Sequence, residues 1–293
     1  MSIFYFSKFS SEYNSSNFGD DINPELLGRL FSKRLIASEN VCILGVGTIL
    51  NDHNIKAVDS FKKKVIFSSG VGYGAVTNDL DESWDVVCVR GPKSAEALKV
   101  GAEKAVCDGA ILLSDYYEVF PESCRCISVT FIPHLKTHWS AGKALKKITQ
   151  SLGINYLSPD VTQVDFIKQV SQSKLVITEA MHGAILADTM RVPWLPIQIY
   201  EHNRFKWEDW FQSINQNYSS RKMNVSIWNS PKSIVKRSIK APYQAVKSGL
   251  IAQQISQWAS SNEAIMSSDA LLSEKKRDLQ ERVAYINEKY END

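Results

Sequence analysis

The sequence predicts an α/β protein built as two Rossmann-like domains facing a cleft, with a C-terminal helical extension. Three observations predict it. Short apolar runs of strand type alternate with helical segments twice, once before Ser114 and again after Arg125. Residues 114–123, which contain Pro121, interrupt the alternation. The 293 residues, 44% apolar and 23% charged, suffice for two domains of ordinary size. Continuous apolar strands separated by helices imply a parallel sheet covered on both faces. The division read from these signals is 1–118, 119–245 and 246–293.

The elements follow in order. Ile3–Phe6 reads as a first strand followed by a polar loop. Asn23-Pro24 reads as a helix start, Asn as N-cap and Pro at the first helical position, with the helix running to about Ser38. Val41–Leu44, Val65–Phe67, Val86–Val89 and Ala105–Cys107 read as buried strands, and Gly91-Pro92 opens a helix through about Val100. In the second half, Cys126–Phe131 is a strand, Ala141–Leu152 a helix ended by Gly153, Tyr156–Leu157 a short strand and Val161–Ser173 a helix. Leu175–Ile177, Ala180–Met190 and Trp194–Ile199 repeat strand, helix and strand. Near the end, Leu279, Val283, Ile286 and Tyr290 form one helical stripe, which predicts a terminal helix packed back on the body.

Composition narrows the function classes. A net charge of +2 argues against a strongly basic nucleic-acid binder, so no nucleic-acid partner is expected. No apolar run approaches the ~18–20 residues of a membrane helix. The first residues lack the basic region of a signal peptide. Five scattered cysteines, Cys42, Cys88, Cys107, Cys124 and Cys126, fit a reducing compartment and show no zinc spacing. A cytoplasmic protein without a metal is therefore expected. From Phe211 to Asn262 there is no Asp or Glu but there are seven cations, Arg221, Lys222, Lys232, Lys236, Arg237, Lys240 and Lys247. That stretch suits peripheral contact with the anionic inner face of a membrane, and equally a solvated face or a cation lining of the cleft.

The candidate chemistry lies where strands end and helices begin, the ligand end of an open α/β sheet. His182 stands there, in the first turn of the Ala180–Met190 helix, where backbone N–H groups favour an anion. An imidazole beside an anion site can donate a proton. Gly183 removes a side chain where a ligand or another backbone can approach. Glu179 reads as the helix cap. Arg90 and Ser94 hold the equivalent place after Val86–Val89, the arginine offering a fork for carboxylate or phosphate, or else pairing with an acid. Asn17-Phe18-Gly19-Asp20-Asp21, Gly45-Val46-Gly47-Thr48 and Ser68-Ser69-Gly70-Val71-Gly72 read as loops after the first three strands; none is a dinucleotide or Walker loop. Downstream, Lys206 is a second anion ligand, and Trp207 and Trp210 read as packing before sugar platforms. His134 and His138, four apart after a strand, have no third metal ligand.

Taken together, N-F-G-D-D, V-R-G-P-K-S at Val89–Ser94 and V-I-T-E-A-M-H-G-A-I-L-A-D at Val176–Asp188 resemble the polysaccharide pyruvyl transferase family. F-I-P-H at Phe131–His134 is similar to its bacterial exopolysaccharide branch, the succinoglycan pyruvyl transferases. The resemblance covers roughly residues 1–210. It implies a GT-B-like pair of domains, an acceptor side followed by a donor side, and phosphoenolpyruvate as donor. The product is a pyruvate ketal on two hydroxyls of a hexose in a glycan or its lipid-linked precursor. Many members carry Arg two residues before the histidine, where this chain has Ala180. On this reading Arg90, Ser94, Met181, His182, Gly183 and Lys206 bind the donor; Asn17, Asp20, Asp21 and His134 bind the acceptor. His182, Asp20 and Asp21 handle protons, and no cofactor is needed. Two other readings stand beside it: a glycosyltransferase using a nucleotide sugar, and a non-catalytic glycan-binding protein.

Overall fold

The computed structural model describes residues 3–6, 17–77, 79–223 and 240–291, with side chains from 245 in the last segment. The chain is mixed α/β with two parallel sheets, and its contacts divide it into two units. The first comprises Met1–Tyr117, Asn203–Tyr218 and Ser267–Asp293; the second comprises Glu118–His202 and Ser219–Met266. Contacts thus return two later segments, 203–218 and 267–293, to the first unit, which a consecutive division of the chain does not express.

In the first unit the strands are β1 (Ile3–Phe4), β2 (Val41–Leu44), β3 (Gly47–Leu50), β4 (Lys63–Val71) and β5 (Trp84–Val89), all paired in parallel. β4 is central. It pairs with β2 along 63–66 and then with β3 from Ser69, while β5 takes its other edge. Its apolar centre, Val65–Phe67, is wholly buried, as a central parallel strand requires. The helices of this unit are α1 (Phe18–Leu30), α2 (Lys33–Ile36), α3 (Asp52–Ala57), α4 (Pro92–Ala97), α8 (Arg204–Ser213) and α10 (Asp269–Tyr290). On α10 the predicted stripe buries Leu279, Ile286 and Tyr290, and the Tyr290 hydroxyl donates to Asp85 at 2.8 Å.

Four expectations for this unit are corrected. The first helix starts at Phe18, with Asn17 as N-cap, and Pro24 lies inside it. Proline there removes a backbone donor, and the Asn23 side chain replaces it, donating to the Asp20 carbonyl at 3.1 Å and to the Val46 carbonyl at 2.9 Å. Second, Gly47-Thr48 opens β3 instead of ending a loop, because the chain resumes pairing with β4 after the break at Gly45-Val46. Third, Ser68–Val71 continues β4, held by Ser69 Oγ donating to the Leu44 carbonyl at 3.0 Å. Fourth, Ala105–Cys107 makes a single bridge to Val89 and then gives way to a 3-10 helix at Gly109–Asp115.

The second unit has strand order β10 (Arg221–Lys222), β9 (Trp194–Gln198), β8 (Ser173–Thr178), β6 (Ile127–Ile132), β7 (Asn155–Tyr156), again all parallel. Its helices are α5 (Leu135–Ser151), α6 (Gln163–Ser171), α7 (Met181–Thr189) and α9 (Lys240–Ala259). Phe131, Leu145, Ile177, Leu195 and Ile197 form the core with Ile251, Ile255 and Trp258 of α9. The predicted C-terminal helices therefore part company, α9 joining the second unit and α10 the first. α5 begins six residues earlier than its periodicity shows, because His134 caps it: Nδ1 accepts the Lys136 N–H at 3.2 Å. Gly153, in the left-handed region at φ 68°, follows the helix end.

From β6 the chain passes to β7 on one edge and, two strands later, to β8 on the other. This reversal is a topological switch point, where the carboxyl ends of neighbouring strands leave a crevice for a ligand.

Candidate functional site

At the switch point of the second unit three strand ends are joined by one carboxylate. Glu179, directly after β8, is 2% exposed. Its Oε2 accepts the His134 N–H at 3.0 Å, and its Oε1 accepts those of Ile199 and Tyr200, each at 3.0 Å. These amides follow β6 and β9. A buried carboxylate is stable only when its lone pairs are filled by such donors. Glu179 is therefore a brace, not the cap of α7 that the sequence indicated. Ala180 is the N-cap of α7, with no side-chain cap, and its own N–H donates to Thr178 Oγ1 at 3.0 Å.

His182 is the second residue of α7, half-buried between Met181 and Gly183, both buried. The first-turn N–H groups of a helix carry partial positive charge, so the setting combines an imidazole with an anion-favouring helix start. Gly183 has a different reason from the one expected. A Cβ there would lie 2.7 Å from Thr178 Oγ1 and 3.2 Å from Ile132 Cδ1, so the glycine lets α7 seat on the ends of β8 and β6. Met181, 4% exposed, is core. His134 enters the site through its backbone on Glu179 and uses its ring on α5.

In the first unit the sequence candidates separate into two groups. Arg90 and Ser94 form a closed network. Arg90, at 0% exposure, donates from Nε to Asp209 Oδ2 at 2.9 Å, from Nη1 to Thr48 Oγ1 at 2.7 Å and from Nη2 to the Val71 carbonyl at 2.8 Å. Gly70 leaves the room its guanidinium occupies. Ser94 Oγ donates to Asp209 Oδ2 at 2.6 Å and accepts the Val71 N–H at 3.0 Å. Both expected anion ligands are thus committed to a buried ion pair within the unit. The acid that pairs with Arg90 is Asp209.

The second group stands at the start of α1, where the sequence indicated a loop, and His134 of the expected acceptor set lies in the second unit. Asn17 Nδ2 donates to Asp20 Oδ2 at 2.5 Å, and the Asn17 N–H donates to Asp21 Oδ2 at 3.0 Å. Burial raises the Asp20 carboxyl to about 6; Asp21 adds to the rise, while Asn17 and the positive charge of Lys206 oppose it. Lys206, nearly buried at the start of α8, donates to the exposed Tyr73 hydroxyl at 3.0 Å. Trp207 and Trp210 are core, packed with Phe211 and Tyr218.

Sequence reasoning missed Asp209, Tyr73 and the partners of His138. Asp209 carried one signal, an acid on a helix between Trp207 and Trp210. Among the described residues, no group of three or more His, Cys, Asp or Glu side chains is placed to hold a metal ion, and no helix is long and apolar enough to cross a membrane. The five cysteines are free; Cys42, Cys88 and Cys107 are buried, and Cys124 and Cys126 are exposed.

Comparison with known proteins bears on the same region. A family model described as polysaccharide pyruvyl transferase matches residues 3–199. The succinoglycan biosynthesis protein ExoV of Rhizobium meliloti (strain 1021) is 34% identical over 219 residues, 73% of this chain and 67% of that protein. Among solved structures, one titled as the glycotransferase of kitacinnamycin aligns with 79% of this chain and 55% of its own, at 11% identity and a TM-score of 0.31. That score is too low to bear on fold or function.

Proposed function

Because this chain belongs to the polysaccharide pyruvyl transferase family, we propose that it transfers a pyruvyl group from phosphoenolpyruvate to two hydroxyls of a hexose. The hexose is part of an exopolysaccharide or its lipid-linked precursor, and the product is a pyruvate ketal. The observation that carries this reading is the brace at Glu179, which fixes the ends of three strands beside His182 and the start of α7.

The chemistry follows from the donor. Protonating the methylene carbon of phosphoenolpyruvate creates an oxocarbenium ion that a hydroxyl oxygen attacks. Loss of phosphate lets a second hydroxyl close the ring. Such a site needs a proton donor, positive charge for carboxylate and phosphate, and acceptors for the hydroxyl protons. His182 is assigned the proton donation to carbon. The dipole of α7 and Lys206 are assigned the donor's negative charge, since Arg90 is committed to Asp209 and Ala180 supplies no cation. Asn17, Asp20 and Asp21 are assigned to the acceptor, with Asp20 accepting one hydroxyl proton. The GT-B-like pair of domains implied by the resemblance belongs to this proposal, with Asn17, Asp20, Asp21 and Lys206 in the first unit and His182 and α7 in the second. The scheme uses no metal or cofactor.

We place the protein in the cytoplasm, against the anionic inner face of the membrane where a lipid-linked acceptor would lie. The support is the acid-free basic stretch, of which Arg221, Lys222 and Lys247 have described side chains and Lys232, Lys236 and Arg237 lie outside the described residues. Flotation with anionic liposomes at low and high salt tests it; salt-insensitive absence of binding refutes it.

The test of function is a phosphoenolpyruvate-consumption assay with phosphate release over a panel of hexosides. Consumption that requires one acceptor is the expected result. Thermal stabilisation by UDP or GDP and none by phosphoenolpyruvate would replace the reading with a nucleotide-sugar transferase. Stabilisation by glycan without consumption of phosphoenolpyruvate would replace it with a binding protein.

A further inference from the structure

A second polar cluster lies at the same end of the second unit. His138, on the first turn of α5, meets Tyr156 at the end of β7 and Asp160 in the loop that follows. The Tyr156 hydroxyl is 2.9 Å from His138 Nδ1, and His138 Nε2 is 3.6 Å from Asp160 Oδ2. Ser158 Oγ is 3.3 Å from both ring nitrogens, so it is aligned with neither lone pair, and it donates to Asp160. Position 142 must be small for this contact to close: a Cβ on Gly142 would stand 3.0 Å from both His138 Nδ1 and the Tyr156 hydroxyl. Phe131 stacks against the tyrosine ring at 6.4 Å. The cluster is reachable from solvent, with the side chains of His138 and Asp160 23% and 45% exposed.

The atoms fix a direction for proton flow. Burial pushes the Tyr156 phenol well above its usual range, and the charges of Asp160 and Glu179 push the same way. Tyrosine therefore keeps its proton, and with His138 in its Nε2–H tautomer that proton is donated to Nδ1. In that tautomer the ring carries its own proton on Nε2, facing the Asp160 carboxylate. The free lone pairs of the phenol oxygen are left to accept a hydrogen bond.

We propose that Tyr156, His138 and Asp160 form a proton relay for one hydroxyl of the acceptor sugar. This rests on the pyruvyl-transfer reading, in which two hydroxyl O–H bonds break and Asp20 is assigned only one of the protons. The acceptor oxygen uses the electron pair of its O–H bond to attack the donor carbon. Its proton passes to the Tyr156 oxygen as the tyrosine proton passes to His138 Nδ1. The imidazolium so formed is held by Asp160. It surrenders the proton to the departing phosphate through the same path. Of the two hydroxyl protons, one thus balances that added to the methylene carbon and the other leaves with phosphate. Tyr156 is the catalytic residue here; His138 and Asp160 act through it. The groups shown at the ring are Tyr156 from β7 and Ser158 and Asp160 from the next loop.

Tyr156→Phe and His138→Gln in the full chain test the relay, since the first keeps the ring packed on Phe131. Each is expected to lower kcat about 100-fold, with the double variant no worse than either. Thermal stabilisation by phosphoenolpyruvate alone should stay at the wild-type level. A Tyr156→Phe enzyme within about twofold of wild type overturns the proposal. If the wild-type chain turns over no phosphoenolpyruvate, the transfer reading fails first. Ring-nitrogen NMR then judges the relay on its own: an Nε2–H tautomer that is lost in Tyr156→Phe supports it, and an Nδ1–H tautomer in the wild type refutes it.

Discussion

Arg90 and Glu179 occupy the same place in two sheets. Each directly follows a buried parallel strand, each precedes a helix, and each is charged and buried. Their charges are met in different ways. Arg90 is neutralised by the side chain of Asp209, 119 residues later, with Thr48 and a carbonyl filling two further donors. Glu179 is met by three backbone N–H groups. The first arrangement consumes the strand end: guanidinium, Ser94 and Asp209 close on one another. The second organises it, since backbone donors draw three strand ends together and leave the start of α7 with His182 beside them. A charged residue at the ligand end of a sheet is thus a positional signal. Whether it meets a ligand depends on which distant residue reaches it first.

The sharpest way to break this comparison is His182→Ala. If the second strand end is the reactive one, the variant loses about 10²- to 10⁴-fold in turnover while its unfolding midpoint stays near wild type. Near-normal turnover would move the chemistry elsewhere. Arg90→Met is the counterpart and should behave in the opposite way. Removing one partner of a buried pair costs about 3–5 kcal/mol, so denaturant unfolding should shift strongly. Arg90→Met with Asp209→Leu should recover much of the loss, because an apolar pair of similar volume leaves no stranded charge. A stable Arg90→Met protein that binds phosphoenolpyruvate weakly would instead restore Arg90 as a donor ligand.

The same contrast explains what was legible in the sequence. The alternation of strands and helices in the second unit was readable, since β6, β8 and β9 are short apolar runs and Gly153 marks a helix end. His182 was readable because strand, helix start and glycine are local signals. The start of α1 was not, because Asn23 imitates a cap while its side chain stands in for the donor that Pro24 lacks. β3 was hidden by the glycines on either side of Val46, which look like a turn and are a break along one edge of β4. The fate of Arg90 was invisible for a different reason: its partner lies on a helix that returns from late in the chain. The link between His138 and Tyr156 likewise needs a helix and an edge strand brought together across Gly142.

Glu179→Gln sharpens the second half of the comparison with a smaller effect. The amide keeps one acceptor oxygen but turns an N–H donor toward one of the backbone N–H groups it served. An unmet buried donor costs about 1–3 kcal/mol, which chemical denaturation can resolve. Turnover should fall by more than the loss of folded protein explains, because the strand ends beside His182 lose their brace. A variant that loses stability yet keeps its turnover per folded molecule would make Glu179 purely structural.

The smallest effect concerns Asp20, where the first unit does keep an open group. Its carboxyl titrates at about 6 in the folded chain against an ordinary 3.8. The folded state therefore binds this proton more tightly than the unfolded state does. The stability so contributed is complete below about pH 4 and is lost as pH rises through about 6. Asp20→Asn has no proton to lose, so its stability relative to wild type should climb between pH 4 and pH 7 and level off above. Asp108, buried and also raised to about 6, titrates in the same window; it is present in both proteins and cancels in the difference. As a base Asp20 must be ionised, so wild-type kcat should fall as pH drops through about 6. In Asp20→Asn, residual turnover should lack the part of that limb owed to Asp20. A stability difference that stays flat from pH 4 to pH 7 would show that burial does not hold this carboxyl, and would leave the first unit with Lys206 and Tyr73 as its ligand-facing groups.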